Sequence, residues 1–416
     1  MSRTRRRPRR DGLDRARAAV ADLWPAPSQV TTGGPLGGRG LAFAVLPHAR
    51  RPTRLVPVSP GPVASRILSG AFRGAGSRER AGRRLLDAAA RAGVLRLVPA
   101  QVHVTEEEGG ESIATHLSAL LGQPVRIGIH LGPPRANQKP VLQVLTPAGR
   151  TVGFAKIGAN ALTRQLVAAE ATALEAVAAA GIAGLGVPPV RHHGSWRDLE
   201  VLLLGPVESR STSSVRGVEL ADVMARLSLA WGHGSGVLAD SAFWARLRTA
   251  AAAGAGPHAP RLRLALDRAA AAYGDRQVAF GAWHGDWTPW NMAVHDHAFV
   301  VWDWERFQKD VPLGLDAIHF HLQREMRRQD QEPLQVARGT LARADELLAP
   351  WGLQGPEARC VFVLYLLAIG SRYAADDQRG AGARLGDLDS WLFRVLDDVL
   401  ASDQPAVATP PSADGG

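Results

Sequence analysis

The pattern of apolar and polar positions changes character along the chain. "LAFAVLP" (residues 41–47) and "TRLVPV" (53–58) read as two strands, and "SRERAGRRLLDAAARAG" after them has helical spacing. From about Val102 the pattern turns to strands: "VRIGIHL", the turn-rich "GPPRANQKP", "VLQVL", the turn "TPAGR" and "TVGFAKIG". A helix is predicted from Leu162 to Ala180, then two further strands in "VPPVRHHGSW" and "LEVLLLGPV". From Val218 to about Leu400 the spacing is mainly helical, and no internal repeat is visible.

This order predicts an α+β chain in five stretches. Residues 1–40 form a flexible basic arm ending in the glycine-rich "TTGGPLGGRG", and 41–101 a small cap-like region. Residues 102–207 make a β-rich lobe with one helix, 208–402 a helical lobe, and 403–416 have the composition of a disordered tail.

Composition narrows the picture. With 416 residues and 46% hydrophobic content the chain can bury a large core. Its longest apolar run, Cys360 to Gly370, is about half the ~20 residues a membrane-spanning helix needs, so a buried helix is expected and no span. The N-terminal "MSRTRRRPRR" is followed by no apolar signal core, which argues against export. The single cysteine, Cys360, rules out an internal disulfide and any zinc site built on several thiolates. Together these readings give a cytoplasmic expectation.

The net charge of +10 is local. Residues 1–100 hold 20 arginines and five acids, six of the arginines in the first ten positions, while the remainder carries 29 bases against 34 acids. The arm therefore reads as a solvated basic tail or as a contact for a polyanion or protein partner, and the rest of the chain has no nucleic-acid signature.

The segment "WHGDWTPWNMAVHDHAFVVWDWE", Trp283 to Glu305, crowds hydrophilic groups into an apolar setting. A hydroxyl attacking the terminal phosphate of ATP needs a carboxylate to orient it and accept its proton, and Mg²⁺ to neutralise phosphate charge. Asp286 can supply the first. Asn291 on the same loop offers an uncharged oxygen, and Asp303 at a strand end offers a carboxylate oxygen, both of the hard type Mg²⁺ prefers.

"HGDWTPWN" followed by "VVWDWE" resembles the catalytic loop and metal-binding segment of the aminoglycoside phosphotransferase and choline kinase group. The resemblance covers roughly residues 102–400 and implies a protein-kinase-like two-lobed fold, with the first hundred residues as an extra N-terminal region. It implies Asp286 as catalytic base, Asn291 and Asp303 as Mg²⁺ ligands, Glu305 as a second-metal or supporting group and His284 as structural. It also implies a lysine that anchors ATP and a helix acid that pairs with it. The chain has three lysines, Lys139, Lys156 and Lys309, against 46 arginines, and Lys156 lies in the strand "TVGFAKIG". Glu170 is the better-placed helix acid, Glu175 its rival. Backbone around Ala136 and Asn137 is expected at the phosphates, and Leu204 and Gly205 in "LLLGPV" at the adenine. In "KDVPLGLDAIHF" the group's Gly-Asp-Pro is replaced by Asp-Val-Pro, and Asp316 is expected to brace the catalytic loop.

Two other readings stand beside this one. "HDH" (His295, His297) and "HFH" (His319, His321) have spacing that suits a His/Asp metal hydrolase if both lie on strands. A hairpin turn for the first pair and a helix for the second would undo it. The other reading is a catalytically inactive kinase-like binding or scaffold protein, against which stands the presence of Lys156, Asp286, Asn291 and Asp303. The acceptor is expected to be an aminoglycoside, an amino alcohol or a sugar-like molecule. Trp283, Trp287, Trp290, Trp302 and Trp304 could stack on it or could be core.

Overall fold

The computed structural model describes residues 8–33, 40–59, 61–69, 84–85, 87–107, 109–132, 138–207, 219–254, 256–328, 331–376 and 384–403. The chain divides into two compact units, Met1–Glu175 with Pro188–Glu208 and Ala176–Val187 with Ser209–Gly416. The fold class is α+β, with one unit built on a large sheet and the other mainly helical.

The strands of the first unit are β1 (Gln29–Gly33), β2 (Leu41–Leu46), β3 (Arg54–Pro57), β4 (Gln101–Thr105), β5 (Arg126–His130), β6 (Val141–Leu145) and β7 (Thr151–Gly158). After the two-residue β8 (Leu185–Gly186), which belongs to the second unit, come β9 (Val190–Trp196) and β10 (Leu199–Leu204). The nine form one antiparallel sheet in the order β1-β4-β2-β3-β5-β6-β7-β10-β9. Strand alternation sorts the side chains. Phe43 and Val45 of β2 pack with Ala16, Val20, Leu23 and Trp24, whereas Ala44 packs with Ala64 and Ile67 from the helix Pro62–Ser69.

Two expectations about the first hundred residues are corrected. The flexible arm of residues 1–40 is a folded segment over 8–33: a helix Pro8–Leu23 and then β1. Ala16, Val20 and Leu23 recur at helical spacing and are fully buried, and the Trp24 ring sits 5.5 Å from that of Phe43. Residues 1–7 lie outside the described residues. The cap-like region 41–101 is continuous with the β-rich lobe, because β3 pairs with β5 (Leu55 opposite Ile129) and β2 and β4 extend the same sheet. The expected boundary at residue 101 falls inside β4.

In the second unit, β11 (Gly234–Val237), β12 (Gln277–Trp283) and β15 (Gln308–Pro312) make one small sheet. The hairpin β13 (Met292–His295) and β14 (Ala298–Val301), with β8, makes another. Asp296 and His297 both take positive φ at the hairpin turn, the signature of a two-residue connection between twisted strands. The helix Pro356–Ala375 is long and apolar enough to cross a membrane, but most of it is packed inside this unit's core, Cys360 to Leu367 being buried without a break.

Candidate active site

β12 delivers the chain into the loop His284–Asn291, and side chains from two helices fix that loop's backbone. The carboxylate of Asp316, at the start of the helix Leu315–Met326, accepts the N–H of His284 at 2.6 Å and of Gly285 at 3.1 Å. Arg372, on the helix Pro356–Ala375, donates to the Gly285 carbonyl. Gly285 itself has φ 83°, and a side chain there would run into the Arg306 carbonyl oxygen, so the position admits glycine on two counts.

His284 is fully buried. Its Nδ1 accepts the Asp286 N–H at 3.0 Å and its Nε2 faces the Trp302 carbonyl at 3.1 Å, which sets the neutral tautomer with the proton on Nε2. Burial pushes this imidazole down to about 4. Burial pushes the Asp316 carboxyl up to about 7, against the two backbone donors that favour its anion. Both groups brace the loop through its backbone.

Asp286 stands at the loop's apex with its side chain 39% exposed. Asn291 Nδ2 donates to both its carbonyl oxygen and its Oδ2, each at 3.0 Å. His319 Nε2 lies 3.2 Å from Oδ1, and Arg372 Nη2 4.0 Å from the same atom. Burial would raise this carboxyl, but the His319 hydrogen bond and the nearby Arg372 charge outweigh it and hold it down at about 2. Asp286 is therefore an ionised, oriented acceptor at neutral pH.

The Trp302 N–H donates to the Asn291 carbonyl at 3.0 Å, so the strand end after β14 is tied to the loop's last residue. Asp303 follows with φ 72° and ψ 49°, a left-handed conformation that costs a non-glycine residue about 1–3 kcal/mol. Its carboxylate and that of Glu305 have oxygens within 4.8 Å of each other. Asn291 has its amide nitrogen committed to Asp286, which leaves Oδ1 as the atom it can offer elsewhere. Asn291, Asp303 and Glu305 thus offer the hard oxygen donors that suit Mg²⁺.

In the first unit, Lys156 on β7 places Nζ 2.5 and 2.6 Å from the two carboxylate oxygens of Glu170. The helix Ala161–Ala180 begins where Asn160 Oδ1 accepts the Thr163 N–H at 2.9 Å. Glu170 falls on its apolar face with Val167, Ala171 and Leu174, wholly buried, and a carboxylate there demands a cation. Glu175 is exposed. Leu204 ends β10, and the Gly205 N–H donates to the Pro189 carbonyl at 2.8 Å. Ala136 and Asn137 lie outside the described residues.

The histidine pairs do not converge. His295 ends β13 and His297 lies in the hairpin turn, while His319 and His321 lie on a helix and diverge. Among the described residues no histidine belongs to a cluster of three or more potential metal ligands. Of the five tryptophans, Trp283, Trp287 and Trp304 are core, and Trp290 and Trp302 are half-buried, Trp290 beneath the Arg327 guanidinium at 4.6 Å. Sequence reasoning weighed His319 only as a metal ligand and did not single out Tyr365 or Arg372. A signal for His319 existed: it follows Asp316 by three helical positions and so shares its face.

No family model and no curated protein matches the chain. Among solved structures it is similar to a thermostable mutant of aminoglycoside phosphotransferase APH(4)-Ia in ternary complex with AMP-PNP and hygromycin B. The identity is 15%, the match covers 71% of this chain and 99% of that one, and the TM-score is 0.46. It is also similar to choline kinase LicA from Streptococcus pneumoniae (14%, 70% and 98%, TM-score 0.44). A third likeness is to a putative fructosamine-3-kinase from Haemophilus somnus 129PT (13%, 70% and 97%, TM-score 0.40). These are members of the group that the motifs resemble, and at such identities and scores the likeness assigns neither activity nor substrate.

Proposed function

We propose that this chain is an ATP- and Mg²⁺-dependent phosphotransferase that phosphorylates a hydroxyl of a small molecule. The observation that carries the reading is Asp286: an ionised carboxylate, fixed through both oxygens on a braced loop, whose partner Asn291 also offers an oxygen to a cation. In this reading Asp286 accepts a hydrogen bond from the acceptor hydroxyl, aims its oxygen and takes up its proton as the new O–P bond forms and the bond from the γ-phosphorus to the bridging oxygen of ATP breaks, releasing ADP. With its carboxyl held so low, orientation contributes more than basicity, which suits a loose phosphoryl transition state in which the proton moves late.

Asn291 and Asp303 would hold Mg²⁺, with Glu305 as a supporting or second-metal carboxylate. When bound, the ion would neutralise charge on the phosphate oxygens. Lys156, oriented by Glu170, would take an oxygen of the nucleotide phosphates, and the backbone at Leu204 and Gly205 the adenine edge. The acceptors that suit the group's chemistry are aminoglycosides, amino alcohols and sugar-like alcohols.

A panel of these acceptors, with ATP and GTP as alternative donors, tests the reading when phosphorylated product is followed for the wild type and Asp286→Asn. The expected result is nucleotide-dependent product from the wild type on at least one class and a loss of about 10²- to 10⁴-fold in Asp286→Asn. A protein that binds nucleotide but transfers phosphate to none of them would favour the kinase-like binding protein.

A further inference from the structure

We infer that His319 is a positioning residue that holds Asp286 in its reactive orientation, with its own tautomer set by Tyr365; the inference rests on the phosphotransfer reading above. His319 is fully buried on the helix Leu315–Met326, and its Nε2 lies 3.2 Å from Asp286 Oδ1. Its Nδ1 lies 3.0 Å from the Tyr365 hydroxyl, which comes from the helix Pro356–Ala375. The two rings meet edge to face, with centroids 5.9 Å apart and an interplanar angle of 65°.

The protons along this chain follow from donor and acceptor chemistry. Tyr365 is fully buried and keeps its hydroxyl proton, because burial pushes its phenol well above the ordinary value. Burial also keeps His319 neutral. A neutral imidazole facing a carboxylate presents an N–H to it, so Nε2 carries the proton and Nδ1 accepts from Tyr365. The order is Tyr365 O–H to His319 Nδ1, then His319 Nε2–H to Asp286 Oδ1. With Nε2 protonated and Nδ1 occupied, His319 is neither a base nor a metal ligand.

What the arrangement supplies is direction. The last torsion of an aspartate is broad and roughly two-fold, so a carboxylate held by one donor can swing. Asp286 has a donor on each oxygen, His319 on Oδ1 and Asn291 on Oδ2 at 3.0 Å, and the pair fixes its plane. Displacing a catalytic group by about 1 Å costs on the order of 100-fold in rate.

The test compares His319→Leu, His319→Gln and Tyr365→Phe with the wild type, by kcat and by KM for MgATP on the best acceptor, with folding checked by thermal melting. His319→Leu should lower kcat by roughly 100-fold while KM for MgATP stays within about twofold. His319→Gln, whose amide N–H can replace Nε2–H, should recover to within about tenfold of the wild type. Tyr365→Phe should fall between them, because Nδ1 loses the donor that fixes the tautomer. A folded His319→Leu protein with wild-type kcat, or one that loses MgATP affinity in place of kcat, overturns the inference. If His319→Leu does not fold, Tyr365→Phe decides: unchanged kcat in that folded variant is the overturning result. A wild type that transfers phosphate to nothing overturns the phosphotransfer reading and this inference with it, whereas an active wild type with indifferent variants overturns this inference alone.

Discussion

Asn291 holds Asp286 twice, its one amide nitrogen donating at 3.0 Å to both the backbone carbonyl and the carboxylate Oδ2. The loop from Asp286 to Asn291 is thereby closed on itself, and in the proposed reading the group that would orient the acceptor is locked to the group that would offer an oxygen to the cation. Asn291→Leu keeps the volume and removes both bonds. It should cost about 1–3 kcal/mol in urea unfolding through the part-buried carbonyl and carboxylate that lose their donor, and it should lower turnover and Mg²⁺-dependent nucleotide binding together. Loss of turnover with intact metal dependence would separate the two roles.

Gly285→Ala tests the loop's geometry. The left-handed φ of 83° and the Arg306 carbonyl both oppose a side chain, and the strain alone is worth about 1–3 kcal/mol. Gly232→Ala is the control, with φ 82° and no atom within 4 Å of an added Cβ. Chemical denaturation of the pair should show the larger loss at Gly285, and equal losses would mean that the close approach to Arg306 is not maintained.

Lys156→Met should weaken ATP use, but the burial of Glu170 adds a stability cost. Taking the ammonium from a wholly buried carboxylate costs about 3–5 kcal/mol. Adding Glu170→Gln to Lys156→Met should restore most of the melting temperature and none of the nucleotide affinity. Recovery of both by the double change would remove Lys156 from the phosphate site.

The buried His284 makes stability sensitive to acid. Between pH 6.5 and about 4 the unfolded chain binds a proton on this residue and the folded chain does not, so the stabilisation is full above 6.5 and is lost as pH falls toward 4. Asp316, raised to about 7, runs the other way: its contribution is present at acid pH and lost as pH rises through 7. Both wild type and His284→Asn keep Asp316, so the difference between them isolates the histidine. Urea melts at pH 4, 5, 6 and 7 should show the wild-type advantage shrinking by about 3 kcal/mol from pH 7 to pH 4. A difference that does not move with pH would mean that His284 is not held neutral.

How far the sequence could be read depended on where each signal was local. "VLQVL" and "TVGFAKIG" match β6 and β7 end to end, because short, mostly apolar runs bounded by clear turn signals fix where a strand begins and ends. β1 and β4 escaped: "QVTTG" is largely exposed, and "QVHVT" alternates for only five residues while burying both faces, Gln101 and His103 as well as Val102 and Val104. Arginine density hid the stripe Ala16, Val20 and Leu23, and what read as a solvated arm is a helix under the sheet. Asp286 and Asn291 were singled out by the chemistry their loop suggests, and Lys156 and Glu170 by the family resemblance and the scarcity of lysine; the structure brings each pair into contact. His319 reaches Asp286 across 33 residues, a contact that only the packing of two helices against the loop creates.

The distinction between Asp286 and Asp303 is the sharpest test of the whole account, and calorimetric titration of MgATP into the folded Asp286→Asn and Asp303→Asn proteins measures it directly. The expected outcome is near-wild-type binding with turnover down about 10²- to 10⁴-fold in Asp286→Asn, and loss of metal-dependent binding in Asp303→Asn. Equal, unimpaired binding in both would reject Asp303 as a metal ligand, and loss of binding in Asp286→Asn alone would reverse the two roles.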